Sequence, residues 1–322
     1  MTPYTVKHIT RYTYDSPVID CTNQLMLYPI ADEHLEIKKH TLKISGNPAV
    51  EIFVDYFGNR AGVFSAIKPH SQLVIESIVE VNTISINMPD DTGLPGDQWA
   101  FLGGLKNSFP YIDFLGKESF EAVAQVKVVL EQLLDYDKTP LQNAMTFMQY
   151  VYKNFAYQQG VTTNDTDIDE LWKLKAGVCQ DFAHMLLVFL RMANIPGRYV
   201  SGYICPKQNE MRGTGATHAW VEVYLLNFGW LGLDPTNNCM VNDQHIRLAV
   251  GRQFSDCTPV KGTYKGSGHH TLEVSVDIEG GHSSEQFAEA TAPVFNYTQK
   301  TKPVQVNSYR SYLEMQQQQQ QQ

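Results

Sequence analysis

Residues 176–203 read AGVCQDFAHMLLVFLRMANIPGRYVSGY. Gly177-Val178 precede a cysteine, and a nearly all-apolar run starts directly after it. The run predicts a buried helix over 180–194, stopped at Pro196-Gly197. Cys179 then falls at the first turn of that helix. A thiol attacks only as thiolate, and a free cysteine with a pKa of ~8.5 is mostly protonated at neutral pH. A helix N-terminus favours the anion through its unpaired N–H groups and the positive end of its dipole. The same N–H groups can receive an oxyanion when a carbonyl is attacked. A lone cysteine ahead of an apolar helix is more often a small core residue, so the position needs partners.

Two partners follow in chain order. In THAWVEVYLL (217–226), alternation puts His218, Trp220 and Glu222 on one face. In GWLGLDP (229–235) it puts Trp230, Gly232 and Asp234 on one face. Antiparallel pairing through the loop at Asn227-Phe228-Gly229 brings His218 and Asp234 side by side. An imidazole beside the thiol lowers its pKa and later protonates a leaving amine. A carboxylate fixes the tautomer and orientation of that imidazole. Taken singly, each has a plainer reading: a satisfied histidine on a strand, and an aspartate opening a turn at Pro235-Thr236.

The other polar groups carry less. His184 lies about 140° round the helix from Cys179, at 100° per residue, and reads as structural. Asp181 sits in the first turn and supports the helix start. Trp220 and Trp230 read as packing. Asp243 and His245 have no derivable role. His269-His270 lacks a third ligand at diagnostic spacing. DTDIDE (165–170) begins like a calcium loop, but Glu170 occupies the glycine position and Ala176 the bidentate-acid position. No metal and no cofactor is expected.

The 322 residues suggest two domains. The net charge of −9 and pI near 5.5 exclude nucleic acid or an anionic membrane as the main partner. No run approaches the ~18 apolar residues of a membrane helix. The start, MTPYTVKHITRYTYDSPVIDC, lacks a basic segment followed by an apolar one, so the expected location is cytoplasmic. The five cysteines are widely spaced with no CxxC pair, which fits free thiols in a reducing compartment.

Residues 1–88 alternate as strands in YTVKHITRYTY, HLEIKKHTLKIS, VEIFVDYFGNRAGVFSAI and SQLVIESIVEVNTISI, broken at Gly46-Asn47-Pro48, Gly58-Asn59 and Lys68-Pro69. They predict an all-β, sandwich-like domain, with a hairpin turn at Tyr56-Phe57-Gly58-Asn59-Arg60. Residues 89–116 read as a linker. From 117 the period becomes helical, first along Phe120, Val123, Val126 and Leu130, then along Leu141, Met145, Met148 and Val151. Asp167 is placed to cap a short helix. The core is expected to run over 117–280 with C-terminal strands, and 281–322 to be a partly disordered tail ending in polyglutamine.

GVCQDFAHMLLVFLRMANIPGRYVSGY and THAWVEVYLLNFGWLGLDPTNN together resemble the core of the transglutaminase-like superfamily, in its bacterial branch of expected cysteine proteases. DYFGNRAGVFS resembles the β-domain that precedes this core, and VNDQHIRLAVGRQFSDCTPVKGTYKG resembles the segment that follows it. The resemblance implies an α+β, papain-like core with a helix packed on an antiparallel sheet. It implies Cys179 as nucleophile, His218 as base and acid, and Asp234 as orienter. It also suggests an upstream side chain completing the oxyanion hole, with Tyr157 the first candidate and Gln158 the second. The expected reaction is acyl transfer through a thioester on Cys179, ending in hydrolysis of a peptide or other amide. Crosslinking by true transglutamination and a non-catalytic binding module of the same fold are the alternatives. The expected partner is a peptide or protein substrate; oligomeric state stays open.

Overall fold

The structure is a computed structural model that describes residues 1–87, 89–205, 211–213, 216–266, 269–280 and 294–295. The N-terminal strands are β1 (Thr2–Leu25), β2 (Leu35–Ile44), β3 (Glu51–Val54), β4 (Arg60–Ala66) and β5 (His70–Thr83). Helices α1 (Pro95–Gly104), α2 (Tyr111–Leu115), α3 (Val123–Leu133) and α4 (Pro140–Asn154) follow. Then come β6 (Ala156–Tyr157), α5 (Ile168–Leu174), β7 (Ala176–Gly177) and α6 (Cys179–Met192). The remaining strands are β8 (Gly197–Ile204), β9 (His218–Leu225), β10 (Gly229–Asp234), β11 (Cys239–Met240), β12 (His245–Gly251), β13 (Val260–Lys265), β14 (His270–Gly280) and β15 (Val294–Phe295).

β1 organises the N-terminal unit. Its first half pairs antiparallel with β5 and β14, and its second half with β4 and β13. The register slips between Thr13 and Val18 and again between Ile19 and Thr22, with Asp20 at φ 49°. At that bend the strand leaves one sheet for the next. β2 extends the first sheet from β5, and β3 extends the second from β4. Alternate residues of β1, including Tyr4, Val6, Val18, Cys21 and Leu25, point into a core shared with Leu73, Ile75, Val79 and Val81 of β5.

The structure departs from the sequence reading in two places. The linker 89–116 carries α1 and α2. The strands over 260–280, expected to close the core, pair instead with β1. Alternation reports which face of a strand is buried, but not which partner it finds. Apart from 294–295, the tail lies outside the described residues.

The second unit is a five-stranded antiparallel sheet in the order β11-β10-β9-β8-β12, with α6 packed against it. Phe182, Leu186, Phe189 and Leu190 of α6 are fully buried between this sheet and α4. Each such side chain contributes roughly 1.5–3 kcal/mol relative to exposure. The opposite face of the sheet supplies Tyr203, Ile246 and Leu248 to the core of the β-domain. Polar ties reinforce that junction. The Asn59 side chain, in the turn between β3 and β4, bonds both backbone groups of Val250. Glu222 is buried between Arg198 and Arg247, and Arg247 also pairs with Asp32. No helix among the described residues is long and apolar enough to cross a membrane.

Candidate active site

The start of α6 is held by a small device upstream of Cys179. β6 and β7 pair in parallel, setting Tyr157 beside Gly177, and the Gln158 N–H donates to Gly177 O at 2.9 Å. Asp181 folds back so that its carboxylate accepts the Val178 N–H at 2.7 Å and the Thr162 hydroxyl at 2.7 Å. A Cβ at position 177 would lie 2.3 Å from Asp181 Oδ2, so only glycine fits over the carboxylate. Burial pushes the Asp181 carboxyl pKa up, and these two hydrogen bonds oppose the rise. The expected support of the helix start by Asp181 is thus a specific backbone clamp.

Cys179 is the first residue of α6 and is partly exposed. Cys205 and Cys257 are buried, and burial pushes both thiols up. Cys239 is pushed up to about 12 by burial and then by the Asp234 charge. These three are poor sources of thiolate.

His218 opens β9 and Asp234 closes β10. The ladder pairs Leu233 with Val221 and Gly232 with Glu222, so Asp234 falls opposite Trp220 rather than His218. The two residues share a face and meet on the diagonal, His218 Nε2 donating to Asp234 Oδ2 at 2.8 Å. The Nε2 proton leaves Nδ1 as the nitrogen available to sulfur. Nδ1 is buried with no hydrogen-bond partner, and the Cys179 thiol is near enough to help raise the ring's pKa. Burial alone would lower the His218 pKa; the Asp234 charge and hydrogen bond, with help from Cys179, carry it up to about 10. Gly213 closes over the same nitrogen: its φ is +87°, and a Cβ there would lie 2.5 Å from Nδ1.

Asp234 is a hub. Oδ1 accepts the backbone N–H groups of Thr236 and Asn237 at 2.9 and 3.2 Å. Oδ2 accepts the Asn237 amide at 2.8 Å and, at 3.4 Å, His245 Nε2. Burial opposes its ionisation, but His218 and His245 hold the carboxyl well below the usual carboxylate range. His245 Nδ1 accepts the Asn242 N–H at 3.4 Å, so Nε2 carries the proton it presents to Asp234. Sequence reasoning gave His245 no role. β12 is not adjacent to β10 in the sheet, and no local spacing reveals the contact. His218, Asp234 and His245 offer three ligand atoms within 4.8 Å of one another, the set that a divalent ion would use. Asp234 is already occupied by five donors, which fits a hydrogen-bonded carboxylate better than a metal ligand.

Tyr157 lies beside this centre. Burial, and next the nearby Cys179, push its hydroxyl up to about 12, so it is a neutral donor. Gln158 is fixed through its backbone. His184 is turned elsewhere: its Nε2 accepts the Phe254 N–H at 3.2 Å, and burial lowers its pKa to about 4. It borders a cleft of about 320 Å³ lined also by Asp165, Asp167, Asp169 and Phe254, to which none of Cys179, His218 and Asp234 contributes. Trp220 is fully buried against the His218 and His245 rings.

Comparison with known proteins agrees with this architecture. Residues 128–235 match the transglutaminase-like superfamily, and residues 4–82 match the bacterial transglutaminase-like N-terminal region. The chain belongs to the transglutaminase-like superfamily. An uncharacterised protein of Mycobacterium tuberculosis is 32% identical over 299 residues, covering 85% of this chain and 92% of its own. A protein-glutamine gamma-glutamyltransferase of Pseudomonas aeruginosa is 28% identical over 152 residues, 44% of this chain and 20% of that one. A solved structure from Cytophaga hutchinsonii, named as a candidate cysteine protease, superposes with a TM-score of 0.69 at 19% identity, covering 88% of this chain and 92% of that one. That likeness carries the fold.

Proposed function

We propose that Cys179, His218 and Asp234 are the catalytic triad of a thiol acyl-transfer enzyme that hydrolyses a peptide or other amide bond. One observation carries this reading: an imidazole is bonded to a buried carboxylate at 2.8 Å with its second nitrogen left free, and the thiol that starts α6 is near enough to help raise its pKa. Sulfur attacks the amide carbonyl, and the carbonyl electrons move onto oxygen. The Cys179 backbone N–H and the Tyr157 hydroxyl are the donors for that oxyanion. The protonated Nδ1 of His218 gives its proton to the departing amine, and a thioester remains. Water then attacks the thioester while His218 takes its proton. The acid leaves, and the thiol is restored.

Water is the favoured acceptor because Cys179 is partly exposed. An amine acceptor gives crosslinking by the same steps, and similarity to a gamma-glutamyltransferase supports it as the second reading. The acidic chain with its free thiols suits a reducing cytoplasm and a peptide or protein substrate.

Iodoacetamide labelling at pH 6–7 tests the nucleophile. A fast phase is expected at Cys179 and absent in Cys179→Ala. If Cys179 reacts no faster than the other four thiols, the reading fails and a binding module of this fold takes its place. A trapped acyl-enzyme offered water and a primary amine separates hydrolysis from crosslinking.

A further inference from the structure

We infer that Arg212 is the substrate-anion site of this centre, and that the acyl donor carries a carboxylate close to the bond that is cut. This deepens the proposed function and rests on it.

Arg212 is placed by the same network that builds the triad. Its N–H donates to Asn237 Oδ1 at 2.9 Å, and its carbonyl accepts the Asn237 amide at 3.3 Å. That same amide bonds Asp234 at 2.8 Å. The next residue, Gly213, is the one that packs over His218 Nδ1. The guanidinium lies over the Tyr152 ring at 4.8 Å and near the Tyr157 ring at 6.0 Å. Tyr157 in turn pairs with Gly177, two residues before Cys179. The cation therefore stands at the rim of the nucleophile, on the side of the proposed oxyanion hole.

Among the described residues its charge is unanswered. Nη1 is buried without a hydrogen-bond partner, and Arg212 forms no ion pair among the described residues. Arg191 and Arg247 also bury an unpartnered nitrogen, but Glu118 neutralises the first, and Asp32 with Glu222 the second. A buried donor left unsatisfied costs about 1–3 kcal/mol, more when charged. Such a group is satisfied by water, an ion or a ligand. Planar paired donors on a rigid aromatic platform match a carboxylate. Two sources offer that chemistry: a free α-carboxylate on the acyl-donor residue, or the side chain of a neighbouring acidic residue.

Matched alkylating agents test the site without requiring turnover. Iodoacetate and iodoacetamide differ in their anionic group, and the ratio of their rates at Cys179 reads the anion preference. Arg212→Gln is expected to lower that ratio about tenfold, and Arg212→Lys to keep most of it. A ratio unchanged in Arg212→Gln overturns the inference. So does a parallel fall in both rates, which marks a purely structural role. The ratio is read whatever the absolute rate, so a slow Cys179 counts against the triad and not against Arg212. Protection of Cys179 by two glutamine peptides then separates the sources, one with a free α-carboxylate and one amidated beside a glutamate. Protection by either that weakens in Arg212→Gln supports the site; protection by neither overturns it.

Discussion

His218 and Asp234 meet across β9 and β10 on the diagonal, with Trp220 in the position directly opposite the carboxylate. The imidazole is thereby clamped between Asp234 at one nitrogen and the Gly213 backbone at the other. The ring has little freedom to rotate, and its proton-carrying nitrogen is fixed.

Asp234→Asn tests the consequence for chemistry. The neutral amide keeps much of the shape but removes the charge that raises the His218 pKa. Acylation of Cys179 is expected to fall by up to about 10⁴, the loss seen when the orienting acid of a triad is neutralised. Circular dichroism should show the fold retained. Wild-type rates in this variant would remove Asp234 from the mechanism.

His245→Gln isolates the second histidine on the carboxylate. A hydrogen bond to a charged group is worth about 1.5–3 kcal/mol, and each 1.36 kcal/mol is a factor of ten in rate. A fall of about 10- to 100-fold in acylation is expected, smaller than that of Asp234→Asn. The pH–rate profile should move as well, since a carboxylate that has lost one donor turns more of its charge to His218.

The pH dependence of stability follows from the buried histidines. His218 is raised to about 10 when folded, against an ordinary value of ~6.5. Its contribution is complete below that ordinary value and is lost as pH climbs toward 10. His8 and His184 are lowered by burial to about 4. Their contributions are complete above the ordinary value and are lost as pH falls toward 4. Urea midpoints should therefore peak near neutrality and decline on both sides. His218→Gln should flatten the alkaline limb alone.

Gly177→Ala should act through Asp181. The added methyl displaces the carboxylate that clamps Val178 N–H and Thr162. Overpacking of this kind costs typically about 1–3 kcal/mol. Labelling of Cys179 should slow at the same time, because the clamp sets the first turn of α6.

Glu222→Ala addresses the junction of the two units. It leaves Arg198 and most of Arg247 facing an empty buried site. Removing one member of a buried charge pair costs about 3–5 kcal/mol. Thermal unfolding should shift down by several degrees or more, and an unchanged midpoint would show that water replaces the carboxylate.

The sequence made some of this visible for clear reasons. Cys179 at a helix start and the faces of β9 and β10 follow from local periodicity, and so does Asp167 as the cap of α5, accepting the Glu170 N–H at 2.8 Å. What local pattern cannot carry is pairing between distant strands. His245 reaches Asp234 only because β12 docks on β8, and β13 and β14 join β1 across more than two hundred residues of chain. Arg212 sits in a stretch without periodicity, and its proximity to Tyr157 arises from tertiary packing alone.

The partnership of β1 with β13 and β14 gives the molecule a fixed order of completion. During synthesis β1 is made well before two of its neighbours, which follow only after Cys179, His218 and Asp234. A chain stopped at residue 259 lacks both β13 and β14 and leaves one flank of β1 open. Truncation at that point should yield a sticky chain rather than a compact, smaller fold. β13 and β14 act as a clasp on a strand made more than two hundred residues earlier.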